Sequence, residues 1–249
     1  MSTTTEAPLG GGVSSITGWR RVGIGAAVAM AIWSVTLQLV IGAFIPPVTG
    51  VGVLFVLLGI GLSRSTATWV HAATALLPLL ALAGNTGPIL ADLSHPEAAA
   101  VFTLTVVSVV GALVTSASGF LLWFDRAHGA AGPVAAVAGG LVVVAAAIGV
   151  VSASGVENAP ALAGDVTVEA RALRFTPMEI VFPTGAGGIW VDNPDPVAHT
   201  FSIGGTDIDL DVPANSSQRV DVTLEPGTYS VFCAIPGHES MTATLRVEG

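Results

Sequence analysis

The feature that most limits how this chain can fold is a series of long apolar segments before residue 152. A window of about 20 residues, the length with which a helix crosses the hydrocarbon core of a bilayer, finds five of them. They are residues 22–45, 47–62, 67–90, 98–124 and 133–151. The sequence therefore predicts a transmembrane helical bundle over residues 22–151, preceded by a disordered tail over residues 1–21.

The positions of the arginines indicate how these segments are oriented. Arg20 and Arg21 precede the first segment, Arg64 lies between the second and third, and Arg126 between the fourth and fifth, whereas the alternate loops contain no arginine. Because cytoplasmic loops carry an excess of basic residues, we expect a multi-pass plasma-membrane protein with a cytoplasmic N-terminus. Five crossings then put the C-terminal part outside, and four would leave it inside.

Small residues recur in the fourth segment at four-residue spacing. The two stripes are Ser108, Ala112, Ser116 and Gly111, Thr115, Gly119. Such stripes let helix backbones approach closely in lipid. They predict helix packing and require no catalytic role.

Ionisable residues inside membrane segments are functional candidates by default. His71 is the one that lies well inside a segment, and no second histidine lies within a segment to hold a haem with it. We interpret His71 as structural. Asp92, His95 and Glu97 lie in the loop before the fourth segment, where they are candidates for weak metal ligands, a docking patch for the outer domain, or a solvated helix end.

The composition changes after the fifth segment. Residues 152–164 are small, polar and without periodicity, which is typical of a flexible linker. From residue 165 apolar and polar residues alternate in about seven short runs, which predicts an all-β Greek-key sandwich of antiparallel strands over residues 165–249. This part carries twelve acids and four arginines, a net charge of −8, and such a domain is a poor binder of nucleic acid.

One loop of this β domain contains side chains that suit copper. Cys233, His238 and Met241 lie within nine residues, and His199 lies upstream. Two imidazoles and one thiolate bind copper in a trigonal plane, with a thioether as a long axial ligand. The simpler interpretations are core positions for Cys233, Met241 and His199, and a surface turn for His238.

The patterns around these residues resemble the cupredoxin family of blue-copper proteins over residues 165–249. The similar stretches are Arg174 to Pro183, Asp192 to Phe201 and Glu225 to His238. The resemblance implies one mononuclear type 1 copper ion. It assigns the ligands as His199, Cys233, His238 and, on the axis, Met241, with the carbonyl of Ala198 opposite Met241.

The sequence departs from the family pattern at two places. Two residues separate His238 from Met241, where many members have three or four. Thr200 stands where several members have an asparagine that joins the two ligand loops. The short spacing is also similar to that of the binuclear site of cytochrome oxidase subunit II, but that site needs two cysteines and Cys233 is the only one here.

These features together predict a membrane-anchored electron-transfer protein that cycles between Cu(I) and Cu(II). An enzyme is not expected, since the four ligands leave no open position for a substrate. Electrons would pass to an unidentified redox partner through the exposed edge of His238, which Ala234, Ile235 and Pro236 surround. The alternatives are an extracytoplasmic copper-binding or copper-delivery protein, and an accessory redox subunit of a larger membrane copper oxidase or monooxygenase.

Overall fold

The computed structural model describes residues 11–127, 129, 131–183 and 185–249. Within these residues six helices precede the β domain. The helices are α1 (Gly11–Ile41), α2 (Pro46–Arg64), α3 (Thr68–Gly84), α4 (Thr86–Ser94), α5 (Ala99–Trp123) and α6 (Ala131–Ser154). Residues 11–21 were predicted to lie in a disordered tail but are helical, and residues 1–10 of that tail lie outside the described residues.

Four of these helices, α1, α2, α5 and α6, are long and apolar enough to cross a membrane. The predicted third span, residues 67–90, is instead two helices that meet at an angle of 67°, so the described residues hold four candidate spans, or five if this bent pair counts as one. Asn85 lies at the bend and donates a side-chain hydrogen bond to the carbonyl of Ala81. Pro88 follows in the first turn of α4, where a missing N–H is tolerated.

The chain divides into two compact units. The first unit consists of the residues up to Thr36 together with Ile45–Asn85 and Val106–Val143, and the second of Leu37–Phe44, Thr86–Thr105 and Val144–Gly249. The second unit therefore contains α4, the first turns of α5, the end of α6 and the whole β domain.

Close packing in the first unit uses the predicted stripes of small residues. A Cβ atom built on Gly119 of α5 would overlap the backbone of Ala75 in α3, and the Ser116 hydroxyl donates to the Ala75 carbonyl. A Cβ atom on Gly111 would lie 2.7 Å from the sulfur of Met30 in α1. The prediction that these residues let helix backbones approach closely is confirmed.

The β domain is a sandwich of two sheets. The strands are β1 (Val166–Arg171), β2 (Arg174–Thr176), β3 (Glu179–Phe182), β4 (Gly185–Asn193), β5 (His199–Ile203), β6 (Asp209–Val212), β7 (Ser216–Leu224), β8 (Gly227–Phe232) and β9 (Thr242–Val247). One sheet has the order β2-β1-β4-β7 and the other β3-β9-β8-β5-β6. The pairs β1–β4 and β3–β9 are parallel, which corrects the expectation of a wholly antiparallel sandwich. Alternation of apolar residues reports which face is buried and carries no information on strand direction.

One apolar core lies between the two sheets and fixes β5 in place. Phe175 of β2 meets Phe201 of β5 edge to face, with ring centroids 5.6 Å apart, and both rings are fully buried. All five residues of β5 are buried, and this strand is hydrogen-bonded on both edges, to β6 and to β8. A side chain at the start of β5 is therefore held by the most constrained part of the domain.

The predicted linker, residues 152–164, begins inside a helix, since α6 extends to Ser154, and its irregular remainder is attached to the β domain. The Ala159 N–H donates to the Ser217 carbonyl, and the Ser217 N–H donates to the side chain of Asn158, each at 2.8 Å. The indole N–H of Trp190 donates to the Ala159 carbonyl at 2.8 Å. Residues 158 and 159 thus run along β4 and β7.

Candidate metal centre

The four predicted ligands lie at the ends of neighbouring strands. His199 is the first residue of β5 and is 1% exposed. Cys233 directly follows β8 and Met241 directly precedes β9, so the β8–β9 hairpin carries both. The Cys233 N–H donates to the Met241 carbonyl at 3.1 Å, which closes the loop between them.

His238 lies in this loop, in a tight turn. Its N–H donates to the carbonyl of Ile235 at 3.0 Å, and its own carbonyl accepts from the Met241 N–H at 2.8 Å. Gly237 has φ +96°, a conformation that favours glycine. This turn directs the His238 ring towards Cys233.

Three of the predicted ligands meet in space. The ligand atoms of His199, Cys233 and His238 all lie within 4.8 Å of one another. Nδ1 of His238 is 3.5 Å from Sγ of Cys233, and the two imidazole centroids are 5.0 Å apart. Among the described residues no other group of histidine, cysteine and acidic side chains has this spacing.

The protonation and hydrogen bonding of these groups fit a metal ion. Nδ1 of His199 is buried and has no hydrogen-bond partner, which is unfavourable unless the atom binds a ligand. Burial raises the pKa of the Cys233 thiol, but the two imidazoles and the N–H groups of Thr200 and Ile235 outweigh it and lower the pKa to about 5. A thiolate with two imidazole nitrogens is a soft donor set that suits copper.

Asp195 holds His199 from the side opposite this pocket. Its carboxylate accepts a hydrogen bond from Nε2 of His199 at 3.1 Å and another from the Ala172 N–H at 2.7 Å. The first bond assigns the His199 proton to Nε2 and leaves Nδ1 free for a metal. Asp195 lies in the stretch from Asp192 to Phe201 that resembles the cupredoxin family, but the sequence did not predict that it orients His199.

Asn193 holds the loop that leads to His199. Its side-chain amide donates to the carbonyls of Val197, Val212 and Pro213 at 2.9–3.0 Å. Its side-chain oxygen accepts from the Asp195 N–H at 3.0 Å. Asn193 is fully buried, so it fixes residues 193–199 as a rigid loop.

Thr200 connects the two ligand loops. Its hydroxyl oxygen accepts from the Ala234 N–H at 2.7 Å, and its own N–H donates to Sγ of Cys233 at 3.3 Å. The connection that an asparagine makes in several family members is made here by a threonine.

Met241 is fully buried in the same apolar cluster as Cys233 and Ile235. Its backbone is hydrogen-bonded to both Cys233 and His238. These two hydrogen bonds place the Met241 backbone next to Cys233 and His238. Its role as the axial ligand stays a prediction.

The loop residues before α5 do not join the metal centre. His95 pairs with Glu97 at 2.8 Å, and the Asp92 carboxylate accepts from the Thr105 hydroxyl at 2.7 Å. Asp92 and His95 nevertheless line a small cavity that His238 also lines, within the second unit. Of the open alternatives for these residues, the structure supports a docking patch.

The fold and the site define a copper-binding domain of the cupredoxin class. Residues 141–247 match the family model described as a cupredoxin-like domain, which confirms the resemblance of the C-terminal part. The predicted architecture, apolar helices followed by a cupredoxin-like sandwich, is confirmed as well. No curated protein sequence matches the chain significantly.

The chain is similar to parts of several solved structures. A copper-containing nitrite reductase from Thermus scotoductus is 22% identical, with a TM-score of 0.28, over 38% of this chain and 24% of the reductase. The metal-binding domain of a Cu(I)-exporting P-type ATPase from Streptococcus pneumoniae is 15% identical, with a TM-score of 0.30, over 37% of this chain and 94% of that domain. A copper-binding protein in its apo form is 22% identical, with a TM-score of 0.29, over 37% of this chain and 96% of that protein. The chain thus spans about a quarter of the length of the nitrite reductase.

Proposed function

We propose that this protein is a membrane-anchored blue-copper electron carrier whose copper domain faces the outside of the cell. The observation that carries the proposal is the group of His199 and Cys233, both buried, and the half-buried His238, in which Nδ1 of His199 has no hydrogen-bond partner. Met241 completes the proposed ligand set. Copper bound there would supply one-electron exchange between Cu(I) and Cu(II).

The residues around the site favour electron transfer over catalysis. Asp195, Asn193 and Thr200 hold both ligand loops through buried hydrogen bonds, so the ligands need not rearrange when the charge of the site changes. The proposed four ligands leave no open position for a substrate. A rigid, closed site of this kind suits repeated exchange of one electron with a partner protein.

The helices support the proposal of a membrane anchor. α1, α2, α5 and α6 have mean hydropathies of 1.8–2.6 over their most apolar windows. A fifth crossing by the 17 residues of α3, with α4 outside the membrane, would put the acidic β domain on the side opposite the N-terminus. The arginine distribution makes that side the outside.

The first experiment is an optical and EPR titration of the full-length protein in detergent with Cu(II), beside Cys233→Ser. We expect an intense visible charge-transfer band that saturates at one copper per chain in the wild type and is absent in the variant, because the band requires the thiolate. Glu239→Gln, an exposed change in the same loop, is the matched control and should retain the band. A wild type without the band, or a band that Cys233→Ser retains, would contradict a thiolate copper site.

A copper-delivery protein is distinguished by how it releases the ion. An electron carrier keeps its copper through reduction and reoxidation. The same sample is therefore reduced with ascorbate, freed of any released copper on a desalting column, and reoxidised with hexacyanoferrate. We expect it to recover its full visible band. Loss of the copper on reduction alone would favour delivery.

A further inference from the structure

One side of the copper loop, residues 234–238, faces a helix of the same chain, while Ala234, Pro236 and Gly237 remain exposed. α4 and this loop belong to the same compact unit. Ala91 of α4 packs against the apolar cluster that contains Ile235, and Ile235 is only 9% exposed. Ile235 was predicted to belong to an open docking patch around His238, so the structure shows that part of this patch is already occupied.

Two glycines bring α4 close to the loop at further points. A Cβ atom built on Gly87 would lie 3.5 Å from Cβ of Pro236, and one built on Gly237 would lie 3.6 Å from the ring of Pro88. A methyl group at either position would therefore make an ordinary van der Waals contact, so the gap between α4 and the loop at these points is about one methyl group wide.

Polar groups complete the contact beside His238. A cavity of about 10 Å³ is bordered by Asp92 and His95 from α4 and its C-terminal turn, and by Ala198, Ile235 and His238 from the β domain. A cavity of this size holds about one water molecule. The Asp92 carboxylate interacts electrostatically with His238, and its hydrogen bond with Thr105 ties α4 to α5.

We propose that α4 is a resident cap on the copper centre, docked on the surface through which His238 would otherwise meet solvent or a redox partner. Release of copper to a chelator, and electron transfer through this edge, then require α4 to detach from residues 234–238. This inference rests on the proposed function, since it assumes that copper binds at His238.

The test measures how fast the full-length protein, loaded with Cu(I) in detergent, gives up copper to excess bicinchoninate. Ala91→Gln puts a larger polar side chain where Ala91 packs against the apolar cluster that contains Ile235. Leu90→Gln introduces the same residue one position along α4, where the side chain is 61% exposed. We expect Ala91→Gln to release copper roughly tenfold faster, the effect of weakening a docked state by about 1.4 kcal/mol. Leu90→Gln should release it at the wild-type rate.

Two further measurements keep the test decisive. A Cβ atom at Gly87 would already touch Pro236 at 3.5 Å, so the two γ-methyl groups that Gly87→Val adds beyond it should push α4 from the loop and also accelerate release. The visible band of each Cu(II)-loaded variant should equal that of the wild type, which shows that the copper site itself is intact.

The outcomes separate the two proposals. Equal release rates for the wild type, Ala91→Gln and Gly87→Val, with normal bands in all three, would overturn the cap and leave the copper site standing. Equal acceleration by Leu90→Gln and Ala91→Gln would also overturn it, since the effect would not depend on the contact. A wild type without the visible band would overturn the copper-binding proposal itself, and the cap with it.

Discussion

At the scale of single residues, the copper centre depends on side chains that are not ligands. Asp195 is 9% exposed and binds both Nε2 of His199 and the backbone of Ala172. Ala172 lies in the β1–β2 turn with φ +52°, a conformation that is unfavourable for alanine, so the carboxylate also stabilises that turn. A hydrogen bond to a charged acceptor contributes about 1.5–3 kcal/mol.

Asp195 also places a negative charge next to one ligand, which favours the more positive oxidation state of a bound ion. We expect Asp195→Asn to retain the site, to raise its reduction potential, and to lower the free energy of unfolding by about 1–3 kcal/mol. Voltammetry and thermal unfolding of the full-length protein measure the two effects.

The matched control for this variant is Asp192→Asn. It removes the same charge in the same segment, where the Asp192 carboxylate accepts from the Ser217 hydroxyl. Its reduction potential should stay much closer to that of the wild type. Similar shifts in both variants would show that the contact with His199 has no special effect.

At the scale of elements, close backbone contacts decide how the helices of the first unit pack. Gly119 meets the backbone of Ala75, so the distance between α5 and α3 is set by the absence of a side chain. The neighbouring Ser116 donates to the Ala75 carbonyl and adds a polar contact at the same place. Small residues with such hydrogen bonds are the usual means of helix association where lipid surrounds the protein.

We therefore expect Gly119→Ala to destabilise the helical part by about 1–3 kcal/mol, because even one methyl group forces α3 and α5 apart. Gly139→Ala on α6 is the control, since a Cβ atom there meets nothing within 4 Å. It should leave the melting temperature in detergent unchanged or slightly raised. Equal melting temperatures for Gly119→Ala and the wild type would contradict the packing described for this pair.

At the scale of the whole molecule, the side of the membrane on which the β domain lies depends on α3 and α4. If α3 crosses the membrane and α4 lies outside it beside the β domain, five crossings place residues 165–249 opposite the N-terminus. If it does not, the four remaining candidate spans return the chain to the side from which it started. The bend of 67° therefore bears directly on the proposed function.

We expect five crossings, and cysteine labelling of intact cells tests this. In a Cys233→Ser background, Glu225→Cys in the β domain should react with a membrane-impermeant maleimide added from outside. Ser63→Cys, next to Arg64, should react only after permeabilisation. Labelling of both positions only after permeabilisation would place the β domain in the cytoplasm and contradict an extracytoplasmic carrier.

Local patterns in the chain predicted much of the metal centre. Cys233, His238 and Met241 are close in sequence and belong to one hairpin, so their spacing alone predicts that they meet. His199 begins a run of alternating apolar and polar residues that was predicted to be a strand, and the resemblance to the cupredoxin family assigned it to the same site. The structure brings His199 together with Cys233 and His238.

Contacts between distant segments could not be predicted in this way. A hydropathy window measures length and polarity, so it merged α3 and α4 into one span and missed the bend at Asn85. The hydrogen bond from the Ala234 N–H to Thr200 and the contact of Ala91 with the copper loop join residues 34 and more than 100 positions apart.

The sequence by itself predicted the apolar helices and the β sandwich, because periodicity is a property of neighbouring residues, and the resemblance to the cupredoxin family supplied the proposed ligands. Only the tertiary structure decided that Asp195 orients His199, that Thr200 joins the ligand loops and that α4 lies beside the copper loop. The physical reason is that each of these contacts depends on how complete elements pack, and packing is determined by shape and hydrogen bonding over the whole unit.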